Sequence, residues 1–138
     1  MISTLIDTNV LLDLIEGRPD WEEWSGRHVY EARLKGNIVL NPIVYAEASI
    51  PYEDADQFKL IVGGAGFVNE DLPWDAAFMA GKAHRHYRER GGVKTQTLPD
   101  FFIAAHALVK KYPIISRDAS RFRTYFPDLV VIAPDTHP

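Results

Sequence analysis

Leu5-Ile6-Asp7-Thr8-Asn9-Val10-Leu11-Leu12-Asp13-Leu14-Ile15 decides how the rest of the chain is read. Leu5 and Ile6 close a short apolar segment that ends at Asp7. From Val10 to Ile15 the chain reads as helix, until Glu16-Gly17-Arg18-Pro19 stops it. The unit is strand, polar tip, helix, and the same alternation continues outward from it. Trp21 to Lys35 reads as a second helix and Ile38-Val39-Leu40 as a buried strand. Asn41-Pro42 then supplies an N-cap and a proline at the first position of a helix carrying Glu47. Asp54 to Val62 reads as helix ending in Gly63-Gly64-Ala65-Gly66. Pro73-Trp74-Asp75 opens a helix running to Gly91-Gly92, and Leu98-Pro99-Asp100 opens another running to about Lys111. Pro113-Ile114-Ile115-Ser116 reads as a strand ending near Asp118, and Leu129 to Ile132 as a further one. Short apolar strands between longer helices describe an α/β domain whose parallel sheet is covered on both faces.

The 138 residues suit one domain over 1–138, with no repeat or linker, and 46% hydrophobic and 25% charged residues are ordinary for a globular chain. No apolar run approaches the ~18 residues of a membrane span, and Met1-Ile2-Ser3-Thr4 lacks the basic start of a signal peptide, so a cytosolic place is expected. Without cysteine there is no thiolate nucleophile or sulfur ligand, so any metal must be held by oxygen or imidazole. A net charge of -4 excludes binding to nucleic acid by overall basicity, so an RNA contact must be local.

Carboxylates carry the chemical reading. Ligand sites in parallel sheets form past the carboxyl ends of strands, and Asp7 and Asp118 both follow one. On a helical wheel Glu47 shares a side with Ile43 and Ile50, an acid on an apolar face, where it calls for a salt bridge, a metal or a proton. Asp100 lies in the first turn of a helix that is apolar nearly all round, where capping alone would also account for it. His106 is expected at the surface. If the acids converge, they cannot all stay ionised unless a cation neutralises them or their pKa values rise. An all-oxygen acidic site suits Mg²⁺ or Mn²⁺. A cation held by Asp7 and Asp100, with Glu47 and Asp118 completing its surroundings directly or through water, would support hydrolysis of a phosphodiester to a 5′-phosphate and a 3′-hydroxyl. Thr8, Asn9 and Ser116 carry groups suited to orienting water or those carboxylates.

These motifs, Asp7-Thr8-Asn9-Val10-Leu11-Leu12-Asp13, Tyr45-Ala46-Glu47, Leu98-Pro99-Asp100 through Ala107, and Ser116-Arg117-Asp118 with Phe122, resemble the PIN domain in order and spacing over nearly the whole chain. They look most like the single-domain VapC-type toxins of bacterial and archaeal toxin–antitoxin pairs. The resemblance implies a three-layer α/β/α sandwich with a central parallel sheet. It matches Asp7, Glu47, Asp100 and Asp118 to the family's four acids, Asn9 to its small polar residue, and Ser116 to a threonine or serine. It further implies an Mg²⁺- or Mn²⁺-dependent endoribonuclease in a prokaryotic cytoplasm, held by a cognate antitoxin and assembled as a homodimer. The helix carrying Trp21-Glu22-Glu23-Trp24 is not specified by these motifs and leaves partner and substrate specificity open.

A place for RNA backbone is the stretch Lys82 to Lys94. On the wheel Lys82, Arg85 and Arg88 lie opposite a stripe of Ala76, Ala80, Ala83 and Tyr87, so the helix would pack by its alanines and turn its charges outward. A solvated helix face explains the same pattern equally well. Arg85, Arg88 and Lys94 are the RNA-contact candidates, with Arg117 and its neighbours Arg121 and Arg123 as the other path. His84 and His86 point to nearly opposite sides and make a poor zinc pair. Gly63 to Gly66 lacks the Lys-Ser/Thr ending of a phosphate-binding loop. An aspartate-based phosphatase would need an acid where Asn9 stands and a lysine after the late strand, whereas Lys110 and Lys111 precede it. An RNA-processing nuclease outside any toxin system, or a non-catalytic RNA- or protein-binding module on the same fold, are the other readings; retention of four acids counts against the latter.

Overall fold

Strand β1 (Thr4–Ile6) is fully buried and runs straight into helix α1 (Thr8–Glu16), with Asp7 alone between them. The computed structural model describes residues 1–93 and 97–138. After α1 come α2 (Glu22–Arg33), β2 (Ile38–Leu40), α3 (Pro42–Ser49), α4 (Ala55–Gly64), β3 (Val68–Asn69), α5 (Trp74–Glu89), α6 (Thr97–Lys110), β4 (Ile114–Ile115), α7 (Ser120–Tyr125) and β5 (Val131–Ile132).

The strands form one sheet in the order β3-β2-β1-β4-β5, parallel throughout. Leu5 on β1 stands level with Val39 on one side and Ile114 on the other. A strand covered on both faces is stable only if it is apolar on both, and this is why the continuous runs Leu5-Ile6, Ile38-Val39-Leu40 and Ile114-Ile115 lie at the centre of the core. The fold class expected from the sequence, α/β with a central parallel sheet, is the one observed. The chain winds outward from β1 to β3, then returns to the far side of β1 for β4 and β5. Because such crossovers are right-handed, the first leg assigns α1 to α4 to one face of the sheet and the second assigns α5 to α7 to the other. The order reverses between β1 and β4, and a crevice opens beyond their carboxyl ends.

Local chemistry sets the element ends. Gly17, in the left-handed region at φ 64°, closes α1 where a side chain would be strained. Asn41 caps α3 by accepting from the Ile43 and Val44 amides, each at 3.0 Å, with Pro42 in the first turn. Helix α5 lays Ala76 and Ala80 against α6 and holds Lys82, Arg85 and Arg88 in solvent, as its periodicity implies. Among the described residues no helix is long and apolar enough to cross a membrane.

Four particulars depart from expectation. Strand β3 is not legible in the sequence because two exposed residues carry no apolar pattern, yet it pairs with β2 through Val39 and Val68. Helix α7 lacks a side-chain cap at Ala119, so no start signal marks it. Ile50 is 80% exposed, and the buried face of α3 is Val44 and Ala48 instead, with Glu47 on its flank. His106 is fully buried rather than at the surface. Its Nδ1 accepts from Asn41 Nδ2 at 3.2 Å, because Asn41 Oδ1 is already used in capping α3, and its Nε2 then donates to Glu70 Oε1 at 2.9 Å. These polar partners offset the cost of desolvating an imidazole.

Candidate active site

Asp7 continues β1 by one residue, its amide donating to the Ile115 carbonyl at 3.0 Å, and its side chain caps α1 through the Thr8 amide at 2.8 Å. An acid is favoured there by the helix dipole and the free amides of the first turn. The second carboxylate oxygen, Oδ2, accepts from Ser116 Oγ at 2.7 Å and Asn9 Nδ2 at 3.3 Å. Asn9 also accepts the Arg117 amide at 3.3 Å, which ties the β1–α1 corner to the segment after β4. Thr8 Oγ1 donates to Glu47 Oε1 at 2.7 Å and thereby fixes α3's acid beside α1. Each of Thr8, Asn9 and Ser116 thus holds a carboxylate.

Asp118 lies between β4 and α7, and Asp100 in the first turn of α6. All four acids line one pocket of about 280 Å³ at the topological switch point, together with Thr8, Asn9, Leu12, Arg18, Arg121 and Phe122. Asp7 is the most deeply placed, and its carboxyl is pushed up to about 6. Burial is the main cause, countered by the Ser116 hydrogen bond and reinforced by the charges of Asp100 and Glu47. A carboxylate raised chiefly by burial, and further by its acidic neighbours, has the electrostatics that a cation relieves. Among the described residues, however, no three acidic or histidine side chains stand close enough to chelate an ion by themselves. A hard cation that keeps several waters fits such a loosely gathered, all-oxygen set better than one requiring a closed cage.

Two cations of the pocket are not assigned to it by the sequence. Arg121 Nη1 donates to Asp100 Oδ2 at 3.0 Å, and Arg18 pairs with Glu16 at 3.2 Å. The sequence offers Arg121 only as part of an RNA path, because the helix that aims it at Asp100 carries no signal. The RNA candidates divide. Arg85 and Arg88 are exposed on α5, with Arg85 bonded to Glu89 at 2.8 Å, and Lys94 lies outside the described residues. Arg117, the other RNA candidate, is engaged within the fold: its guanidinium forks onto the fully buried Asp13 at 2.8 and 3.1 Å and lies over the Trp21 ring at 5.0 Å. A buried carboxylate held by two such bonds and by Ser25 would be stranded if Arg117 left for a phosphate. Arg123 is likewise engaged, with Asp135.

Compared with solved structures, the fold is similar to VapBC2 from Rickettsia felis bound to a DNA fragment from its promoter, with a TM-score of 0.73 and 18% identity over 96% of this chain and 98% of that one. It is also similar to FitAcB from Neisseria gonorrhoeae, with a TM-score of 0.69 and 22% identity over 100% of both chains. A third likeness is to VapBC-1 from nontypeable Haemophilus influenzae, with a TM-score of 0.71 and 21% identity over 96% and 98%. At these identities the likeness concerns the fold. Comparison of the sequence with curated proteins gives no match. The PIN domain family matches residues 4–126, which include β1 through α7 and all four acids, and the chain therefore belongs to the PIN domain family.

Proposed function

We propose that this chain is a divalent-cation-dependent endoribonuclease and the toxin of a type II toxin–antitoxin pair. The observation that carries the nuclease reading is the convergence of Asp7, Glu47, Asp100 and Asp118, from four separate segments, on one pocket where the most buried acid is raised to about 6. PIN family membership supports it. Asp7 and Asp100 would hold Mg²⁺ or Mn²⁺, with Glu47 and Asp118 acting directly or through water. When bound, such a cation acidifies water and offsets charge on the attacked phosphate. The chain's own part is positional: Ser116 and Asn9 fix Asp7, Thr8 fixes Glu47, and the rigid strand ends keep them in place. RNA as substrate, with Arg85 and Arg88 on the exposed side of α5 as backbone contacts, belongs to the same proposal. So does assembly as a homodimer.

The antitoxin part rests on likeness of fold to the VapBC and FitAcB proteins. An acidic pocket of this size accepts an arginine or lysine from an inhibitor, which would compete with both cation and substrate. The test takes the purified chain with RNA in Mg²⁺, in Mn²⁺ and in EDTA, beside Asp7→Asn. We expect cleavage with either cation, none in EDTA, and loss of most activity in the variant. Full activity in chelator overturns the metal mechanism. If the neighbouring gene product neither binds nor inhibits the chain, the toxin role fails while the nuclease reading stands.

A further inference from the structure

Arg121 lines the acidic pocket and holds a proposed metal ligand directly. It reaches Asp100 Oδ2 from α7, while its guanidinium lies 5.9 Å from the Tyr87 ring centroid on α5. Both partners of the ion pair are partly open to solvent, 28% for Arg121 and 38% for Asp100, so the pairing can exchange. Asp100 accepts from Arg121 on the α7 side of the pocket, while Asp7 is held by Thr8, Asn9 and Ser116. A divalent cation shared by Asp7 and Asp100 and the Arg121 guanidinium would compete for the same carboxylate. A guanidinium displaced from Asp100 remains tethered by α7 at the wall of the same pocket, with its planar fork available to phosphate oxygens.

We propose that Arg121 is a hand-over residue: it neutralises Asp100 when no cation is bound, and it turns to a phosphate of the RNA substrate when one is. This role rests on the metal-dependent ribonuclease reading above. It assigns two properties to one side chain, opposition to the cation and attraction for the substrate, that no purely structural arginine would combine. Asp7 and Glu47 are held by uncharged donors, Ser116, Asn9 and Thr8, so the exchange belongs to the α6–α7 side of the pocket.

The experiment compares wild type, Arg121→Gln and Arg121→Lys. Mn²⁺ alone is titrated calorimetrically without RNA, and steady-state kinetics on single-stranded RNA are then run at saturating Mn²⁺. The glutamine variant is expected to bind Mn²⁺ about two- to fivefold tighter than wild type, the range for a partly exposed charge pair. Its KM for RNA is expected to rise by a similar factor of about two to five. Its dependence on salt should flatten by a log-log slope of about 0.7, the effect of one single-strand phosphate. The lysine variant keeps the charge and should bind Mn²⁺ like wild type, with an intermediate KM because the fork is absent. If the glutamine variant fails to fold, the lysine variant decides by KM alone: a wild-type value overturns the phosphate role. Mn²⁺ binding by Arg121→Gln that equals or falls below wild type overturns the hand-over and leaves the metal centre standing. A wild-type chain that binds no Mn²⁺ overturns both.

Discussion

Among single residues, Asp7 concentrates the conflict between folding and the role proposed for it. It must accept three hydrogen bonds at a strand end and cap a helix, and it must do so buried beside other acids. Its carboxyl is raised from 3.8 to about 6, so the folded chain binds this proton more tightly than the unfolded chain does. The stabilisation is therefore full below pH about 3.8 and is lost as pH rises through about 6. The difference corresponds to about 3 kcal/mol at most, at 1.36 kcal/mol per pKa unit. Asp7→Asn keeps an N-capping side chain and removes the charge. In EDTA at pH 7.5 the variant is expected to melt no lower than wild type, and the wild-type advantage of acid pH should shrink in it. Thermal melts of both proteins at pH 5 and 7.5 check this; a variant that melts well below wild type at both would make Asp7 a structural residue first.

Among the elements, the edge strand β3 is tied to the rest of the fold by Glu70, a contact that the sequence does not announce. Glu70 follows β3, the least apolar strand, and joins that edge to α6 through His106 and to the segment before β4 through Tyr112 Oη at 2.8 Å. Burial pushes its carboxyl up, but the His106 and Tyr112 hydrogen bonds and the charge of Lys110 outweigh burial and leave it below its usual value. The sign is opposite to that of Asp7: its contribution is present above the unfolded pKa and is lost as pH falls through the lowered folded one. Glu70→Ala leaves the buried His106 Nε2 without its acceptor, and an unsatisfied buried donor costs about 1–3 kcal/mol. For a domain of this size that means a fall of several degrees in melting temperature. Urea unfolding at pH 7 checks it; a loss under a few tenths of a kcal/mol would mean that water replaces the carboxylate.

For the molecule as a whole, a net charge of -4 means that the polyanion proposed as substrate would have to be met by a local basic side. Helix α5 offers that side: its alanines face α6, its arginines face water, and its Arg85–Glu89 pair is too exposed to hold Arg85 strongly. Arg85→Ala with Arg88→Ala is expected to weaken RNA binding and to flatten its salt dependence by a log-log slope of about 0.7 for each single-strand phosphate no longer neutralised, with saturating turnover little changed. Fluorescence anisotropy across a salt series reads this. An unchanged slope would reduce the basic side of α5 to a solvated surface and leave Arg121 and Arg18 as the pocket's cations for phosphate.

The class of fold, and the position of Asp7 and Asp118 just past strands, are legible in the amino-acid order alone. Continuous apolar runs bounded by turn signals suit strands buried on both faces, and acids placed immediately after such runs fall at a sheet's carboxyl edge. Asn41-Pro42 and Gly17 also announce their helix ends, because capping is chemistry between near neighbours in the chain. Whatever depends on distant partners had to wait for the packed chain. A half-wheel cannot say whether His106 meets water or Glu70, thirty-six residues away along the chain. Nor can basic spacing reveal that Arg117 is held by buried Asp13 while Arg121 opposes Asp100. Those pairings depend on which elements the switch in strand order brings together, and burial then sets which polar groups must satisfy one another.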